Sequence, residues 1–373
     1  MTGVLSGNAT PFSGAAGITR SLTYNPNLSN VRGYVADNSM INIDAYSMFS
    51  PTELLSPWTA TRSDPPRQAM TVAQAKHTMA IETADKQLVG TGVNKSLAFL
   101  ISDDFCFKAK HNGHIEKKDQ VNKLIILAYD NGEKDAIDIA PVFNKNSNGG
   151  FYTQQVFKCP YDEGEVFEKG DIIAFNPNYF SGKGKDVDYK PGALAKVAIA
   201  PGDFAYEDST LITESLAKRG TSKVTLSEGY GFGVNTIIHK LPKIGDKVQA
   251  GDTLIEYTTS FKDEDTTEFL KNLSKTLGDS EIEDLSRDKI TAPNSGTVVD
   301  LKIYYNRPLE ELSDSLQEVI KDYADSIEQR RKIVQKIGTS SVHIPPVQQI
   351  NSDRVGVTEF DGVLIWVGIE YID

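Results

Sequence analysis

Between Lys86 and Ala200 short apolar runs alternate with turn residues, a pattern that predicts short strands. LAFLISDDFCFKAKHNGHIEKKD predicts two strands around a hairpin tip at His111–Asn112–Gly113, and VNKLIILAYDNGEKDAIDIAPVF predicts a second pair around Asn131–Gly132. VFEKGDIIAF and GALAKVAIA each predict a buried strand led in by glycine. Two helical periodicities frame this region. Ser63 or Asp64 can cap a helix whose first turn holds Pro65 and Pro66 and which runs to about Ala80. Arg67, Gln74 and His77 fall near one stripe of it, either a face turned to a ligand or simply a solvated face. Further on, Leu312, Leu316, Val319, Tyr323, Ile327, Val334 and Ile337 recur at three- and four-residue steps, predicting one long helix over 307–338. The run DGVLIWVGIEYID then predicts a core strand over 361–370, apolar enough to need a partner strand from another chain.

Residues 236–306 carry a sharper pattern: a strand, the turn GDKVQAGD, another strand, and then APNSGTVV. Glycines at those positions allow tight turns between short strands. The pattern resembles the small barrel-sandwich hybrid fold of lipoyl and biotinyl carrier domains. The chain has no Met-Lys-Met or Asp-Lys-Ala for cofactor attachment. Between the two halves, DEDTTEFLKNLSKTLGDSEIEDL predicts a short amphipathic helix with Phe269, Leu270, Leu273 and Leu277 on its apolar side. That face either meets a partner or folds back on its own barrel. In PGDFAYEDSTLITESLAKR a strand ends at Pro201–Gly202, Glu207 and Asp208 stand side by side, and a helix is expected from near Ser209. On the residues alone the two acids are a helix-start pair favoured by the dipole. Residues 1–50, rich in Ser, Asn and Gly, predict an irregular arm that lies across other subunits or is partly disordered.

The net charge of −12 argues against a free-standing nucleic-acid binder, whose footprint is basic, and leaves room for one subunit of a larger assembly. Cys106 and Cys159 lack metal or redox spacing and are expected as buried apolar residues in a reducing compartment. No apolar run approaches the ~18 residues of a membrane-spanning helix. The first residues lack the basic start and apolar core of a signal peptide.

Taken in order, the blocks resemble the β subunit, the second-largest subunit, of multisubunit DNA-directed RNA polymerases. DPPRQAMTVAQAKHTM is similar to the family helix D-x-x-R-x-x-M-x-x-x-M-x-[RK]-Q-A, ADKQLVGTG to P-L-V-G-T-G, and KAKHNGHIEKKD to A-K-x-x-G-x-V-x-x-x-D. FEKGDIIAFNP resembles G-[DQ]-V-[LI]-A-D-G-P, and GALAKVAIAPGDFAYEDSTLITESL resembles the stretch that contains [YF]-E-D. The resemblance implies a mixed, mainly β fold: part of a double-psi β-barrel active-centre module over 51–222, and a flap over 223–355 that combines the barrel-sandwich hybrid with the long helix. A return strand over 356–373 would complete the barrel with another chain.

The resemblance also assigns roles. Glu207 and Asp208 would stand near the incoming triphosphate and a second Mg²⁺, as an auxiliary shell. The main Mg²⁺ ligands, a D-x-D-G-D motif, belong to the other large subunit, and GKGKDVDYK lacks the third acid and glycine of that motif. Arg67 would contact the NTP phosphates with its planar fork. Lys76 would lie beside the RNA, and His77 stands where the family has Gln near the RNA 3′ end. Phe269, Leu270, Leu273 and Leu277 would meet a promoter-specificity subunit. Further partners implied are β-like and β′-like subunits, template DNA, RNA and NTPs, with no membrane.

The sequence lacks the family's D-K-M-A-G-R-H-G-N-K-G and its lobe and protrusion domains. It is therefore expected as a split subunit of the kind found in giant bacteriophages, acting in the cytoplasm of the infected host or packaged in the virion. The alternatives are one exon of a longer β-like chain, or a non-catalytic phage structural or assembly protein that kept the fold.

Overall fold

The computed structural model describes residues 3–11, 13–24, 26, 28, 45–57, 65–101, 103, 105–145, 152–199, 209–259, 287–339 and 341–372. They form a mixed, mainly β fold in two compact units interleaved along the chain. The first unit is built from 1–110, 158–161 and 167–222, and the second from 111–157, 162–166 and 223–373.

The second unit is organised by one strand. Gly362–Ile372 is almost wholly apolar, and Val363, Leu364 and Ile365 are completely buried. Its neighbours are Lys223–Gly233, paired antiparallel without interruption from Lys223 opposite Ile372 to Gly233 opposite Gly362, and Gly296–Tyr305, paired with one bulge between Val298 and Asp300. The sheet continues to Lys247–Val248 on one side and to Tyr152–Gln155 and Val142–Lys145 on the other. The expectation that this strand needs another polypeptide is thus corrected. Both of its edges are filled by strands of the same chain, and its apolar side chains close a core with Phe232, Leu254, Ile255, Val298, Ile303 and Leu316.

A three-stranded sheet, Thr236–Lys240, Thr253–Thr259 and Asp288–Thr291, completes this region. The GDKVQAGD turns attach to the second half of the pattern by the same bonds used twice. Gly245 donates its amide to Val298 O at 2.8 Å, and Val298 donates back to Asp246 O at 2.8 Å. Six residues on, Gly251 donates to Ala292 O at 2.9 Å and Ala292 returns a bond to Asp252 O at 2.8 Å. Asp246 and Asp252 each accept the amide three residues earlier, from Lys243 and Gln249, at 2.8 Å. Both glycines take positive φ, 100° and 90°, which is why the repeat needs glycine there.

The long helix runs Asp314–Ile337, shorter at its start than the periodicity predicts. Pro308 precedes a 3₁₀ turn at Leu309–Glu311, and the α-helix begins where Ser313 accepts the Leu316 amide at 3.3 Å. Leu316, Ile320 and Val334 are buried along it. Ser315 bonds both Ile238 N and Ile238 O at 2.9 Å, tying the helix start to the three-stranded sheet. Its far end packs on a meander, Gly113–Asp119, Leu124–Tyr129 and Lys134–Asp138. The turn at Asn131–Gly132 is where the sequence places it, with Gly132 at φ 87°. The hairpin expected at His111–Gly113 is not formed. Cys106–Lys108 pairs with Ile172–Phe175 instead, and Gly113–Asp119 pairs with Leu124–Tyr129.

In the first unit Ala98, Cys106, Ile172, Phe175, Phe180 and Val187 form a small core. Ile172–Phe175 is buried at every residue, as its apolar run predicts. Val93–Leu100, expected among strands, is a helix that starts after Gly92 at φ 89° and packs on Asp186–Tyr189. The run 193–199, expected as a buried strand, is neither paired nor buried: Val197 is 83% and Ile199 100% exposed. An apolar strand gains its burial only from a neighbour, and no described residue supplies one beyond an isolated bridge at Gly192. The described part of the N-terminal arm docks on its own unit rather than standing off it. Ser6 Oγ donates to Glu53 Oε2 at 2.6 Å, and the same carboxylate accepts the Ser50 amide at 2.7 Å at the cap of helix Pro51–Leu55. Cys106 is buried as expected, whereas Cys159 is only half-buried.

Candidate active site

The helix that carries the candidate substrate contacts spans Pro65–Lys76. Gln68, Ala69 and Val72 are buried along one side, one helical turn apart. Arg67, Met70, Gln74 and His77 are exposed, so the sequence-predicted stripe does form one outward face. The helix ends four residues before the predicted Ala80. The His77 amide turns to Gln74 O at 3.1 Å and the Thr78 amide to Ala75 O at 3.3 Å, while the Thr78 hydroxyl also takes Gln74 O at 3.3 Å. Three-residue bonds and a competing hydroxyl tighten the last turn and close the helix. Lys76 is the closing helical residue and His77 lies in the turn just beyond. At 1.5 Å of rise per residue, Arg67 and His77 stand about 15 Å apart along the axis, too far to grip one group. They suit two parts of an extended ligand.

The chain leaving this helix is fastened to two later segments of the same unit. Asp85 donates its amide to Gly192 O at 2.8 Å, and its Oδ2 accepts the Leu194 amide at 2.8 Å. Arg219 Nη2 donates to the same Oδ2, and Arg219 Nη1 reaches Leu194 O at 3.2 Å. The Leu194 amide and the Arg219 guanidinium hold the Asp85 carboxyl below its usual range. Thr83 Oγ1 donates to Arg219 O at 2.9 Å, Ser222 Oγ to Ala80 O at 2.7 Å, and the Glu82 amide to Thr221 O at 3.3 Å. Next to this junction Lys86 pairs with Asp188 at 2.8 Å, which keeps the ammonium more basic than usual. Lys190 donates to Pro177 O at 2.9 Å, and burial lowers its pKa.

Glu207 and Asp208 lie outside the described residues, as do Phe269, Leu270, Leu273 and Leu277. The residues after the acids correct one expectation. No helix starts near Ser209; residues 209–212 are not helical, and the helix is Glu214–Arg219, capped by Thr213 Oγ1 on the Leu216 amide at 3.3 Å. Its first-turn acid is Glu214, which pairs with Lys218 at 2.6 Å. Glu207 and Asp208 precede that cap by more than a turn, so the helix-start reading of the pair loses its helix. Among the described residues no three His, Cys, Asp or Glu side chains converge as a metal site. Asp186 and Asp188, in the sequence DVDY, lie on a strand paired with Phe180–Lys183, where Asp188 is engaged by Lys86.

The Asp85–Arg219–Leu194 junction escaped sequence reasoning, because Asp85 is more than a hundred residues from both Leu194 and Arg219 and no local pattern marks their meeting. The helix Val93–Leu100 did leave a trace: Val93, Leu97, Leu100 and Ile101 recur at helical steps after a Thr-Gly start.

No protein-family model matches the chain. Among curated proteins it is similar to β subunits of bacterial DNA-directed RNA polymerase. It is 24% identical to that of Alkaliphilus oremlandii over 318 residues, 77% of this chain and 24% of the relative. It is 25% identical to that of Acetivibrio thermocellus over 317 residues, 76% of this chain and 24% of the relative, and 25% identical to that of Clostridioides difficile over 323 residues, 79% and 25%. The chain thus spans about a quarter of the length of the curated relatives it matches. The similarity is distant, and it supports a β-like polymerase subunit.

Proposed function

We propose that the chain is a β-like subunit of a multisubunit DNA-dependent RNA polymerase and lines part of its active centre during templated nucleotidyl transfer from NTPs. The observation that carries this reading is the similarity to polymerase β subunits over more than three quarters of the chain. It is supported by a helix and its closing turn, which leave Arg67, Gln74 and His77 exposed. In this reading Arg67 binds the triphosphate through its planar guanidinium fork. Lys76 and His77 flank the RNA, His77 as a hydrogen-bond donor or acceptor in place of an amide. Glu207 and Asp208 assist a substrate-borne Mg²⁺ whose main ligands are on the partner large subunit. The segment with Phe269, Leu270, Leu273 and Leu277 forms the tip of a flap, residues 236–306, and takes a promoter-specificity partner. The module 51–222 contributes strands to a double-psi barrel. We extend the proposal to a phage-encoded enzyme in the cytoplasm of an infected bacterium; isolating the chain with polymerase subunits through a time course of infection tests that part.

The experiment is single-nucleotide extension on an RNA–DNA scaffold by the complex purified through this chain. Arg67→Ala should raise the KM for NTP and slow addition by about 10²–10³. Glu207→Gln and Asp208→Asn should move the Mg²⁺ dependence upward without abolishing synthesis. A complex that makes no templated RNA and instead carries capsid proteins would replace this reading with the structural or assembly role.

A further inference from the structure

Arg219 and Asp85 are joined by more than a surface ion pair. Asp85 uses both its backbone amide, on Gly192 O, and its carboxylate, on the Leu194 amide and Arg219. Arg219 uses two guanidinium nitrogens, on Asp85 and on Leu194 O, and its carbonyl accepts Thr83. Three strands of chain therefore meet at one point. One, residues 80–85, leaves the helix of Arg67, Lys76 and His77. The other two are 192–194 and 219–222, and in sequence Glu207 and Asp208 lie between them. The two charged side chains are 42% and 35% exposed, a setting in which an isolated ion pair contributes little. The fork on Asp85 and Leu194 is directional, and it fixes the relative position of backbones distant in sequence.

We infer that Asp85 and Arg219 are a positioning pair that sets the substrate-facing helix against residues 192–194 and 219–222. This rests on the polymerase reading. Neither residue is placed at the substrate; both act through Arg67, whose guanidinium must be held within about 0.5 Å of its productive position. An asparagine at 85 keeps the acceptor for the Leu194 amide but loses the charge that holds Arg219. A lysine at 219 keeps a charge on Asp85 but cannot also reach Leu194 O.

The test uses the purified complex in the extension assay, with thermal melting as a control for assembly. Arg219→Ala should lower kcat for single-nucleotide addition about tenfold and raise the KM for NTP. Asp85→Asn should do so by a smaller factor, and Arg219→Lys should restore part of the loss. Combined with Arg67→Ala, Arg219→Ala should add much less than its separate effect, because both changes disturb one arrangement. Additive effects, or unchanged kinetics in an assembled complex, would overturn the positioning role. If Arg219→Ala does not assemble, Asp85→Asn decides by the same readouts. If Arg67→Ala itself leaves the NTP dependence unchanged, the polymerase reading fails; if it acts and the Arg219 and Asp85 variants do not, the positioning pair alone fails.

Discussion

Arg330 and Asp138 are bound through one guanidinium nitrogen that reaches both carboxylate oxygens, at 2.7 and 2.8 Å, while Arg330 Nε donates to Asn122 O at 2.9 Å. This links the later half of the long helix to a turn and to the last strand of the meander. Nearby, Ser341 Oγ donates to Asp135 at 3.0 Å, and Thr339 Oγ1 donates to the same carboxylate just past the helix end at Gly338. A helix held at its start by Ser313 and Ser315 and in its later half by Arg330 is a strut with both ends fixed.

Arg330→Ala should therefore destabilise the chain by about 1–2 kcal/mol, the range for charged hydrogen bonds that are partly screened by solvent. Denaturant titration of Arg330→Ala, Asp138→Ala and the double variant should give a coupling energy of the same sign. An additive cycle would show that the contact contributes nothing.

Ile365, completely buried at the centre of the sheet, should cost about 2–5 kcal/mol when replaced by alanine. The amides of 363–371 should be among the slowest to exchange in the isolated chain, because both edges of that strand are bonded. Rapid exchange there would restore the view that another chain must complete the strand.

Asp119 predicts an acid limb of stability. The amide and side chain of Asn122, with help from Lys117, hold its carboxyl down at about 2. The unfolded carboxyl titrates near ~3.9. The folded form is the stronger acid, so its contribution is complete above the unfolded pKa and is lost as pH falls from about 4 through about 2. Asp119→Asn should remove about 1–2 kcal/mol of this pH-dependent stability and flatten the profile in that window. An unchanged slope between those pH values would refute the assignment.

Cys106 is fully buried, and burial pushes its thiol up to about 12. At pH 8 an alkylating reagent should modify Cys159 in the native chain, and both cysteines only in denaturant. Native labelling of Cys106 would mean that its core opens readily.

The sequence made the elements of the second unit legible where local chemistry decides them. Asn131–Gly132 specifies its own hairpin, and the repeated Gly-Asp of 245–246 and 251–252 specifies its own turns. Legibility stopped where pairing is not local. Ala193–Ile199 has the composition of a buried strand, but burial is a property of the neighbour and no described residue provides one. His111–Asn112–Gly113 looks like a hairpin tip, yet Cys106–Lys108 finds its partner more than sixty residues away. The long helix starts late because Pro308 and the Ser313 cap outweigh an apolar period that reaches back to Leu312. At the candidate site, the exposed face of Arg67 and His77 could be read from spacing, whereas Arg219 carries no local mark of its tie to Asp85. The roles of Glu207 and Asp208 came from resemblance alone, and the described structure removes only their simplest alternative, the start of a helix near Ser209.

The strand Gly362–Ile372 has a mechanical consequence. It runs antiparallel to both neighbours over most of its length. Tension applied along it loads the hydrogen bonds of both flanks in shear, all together, rather than peeling them one by one. Such an element yields at high force and transmits load sideways to Lys223–Gly233 and Gly296–Tyr305 before it gives way.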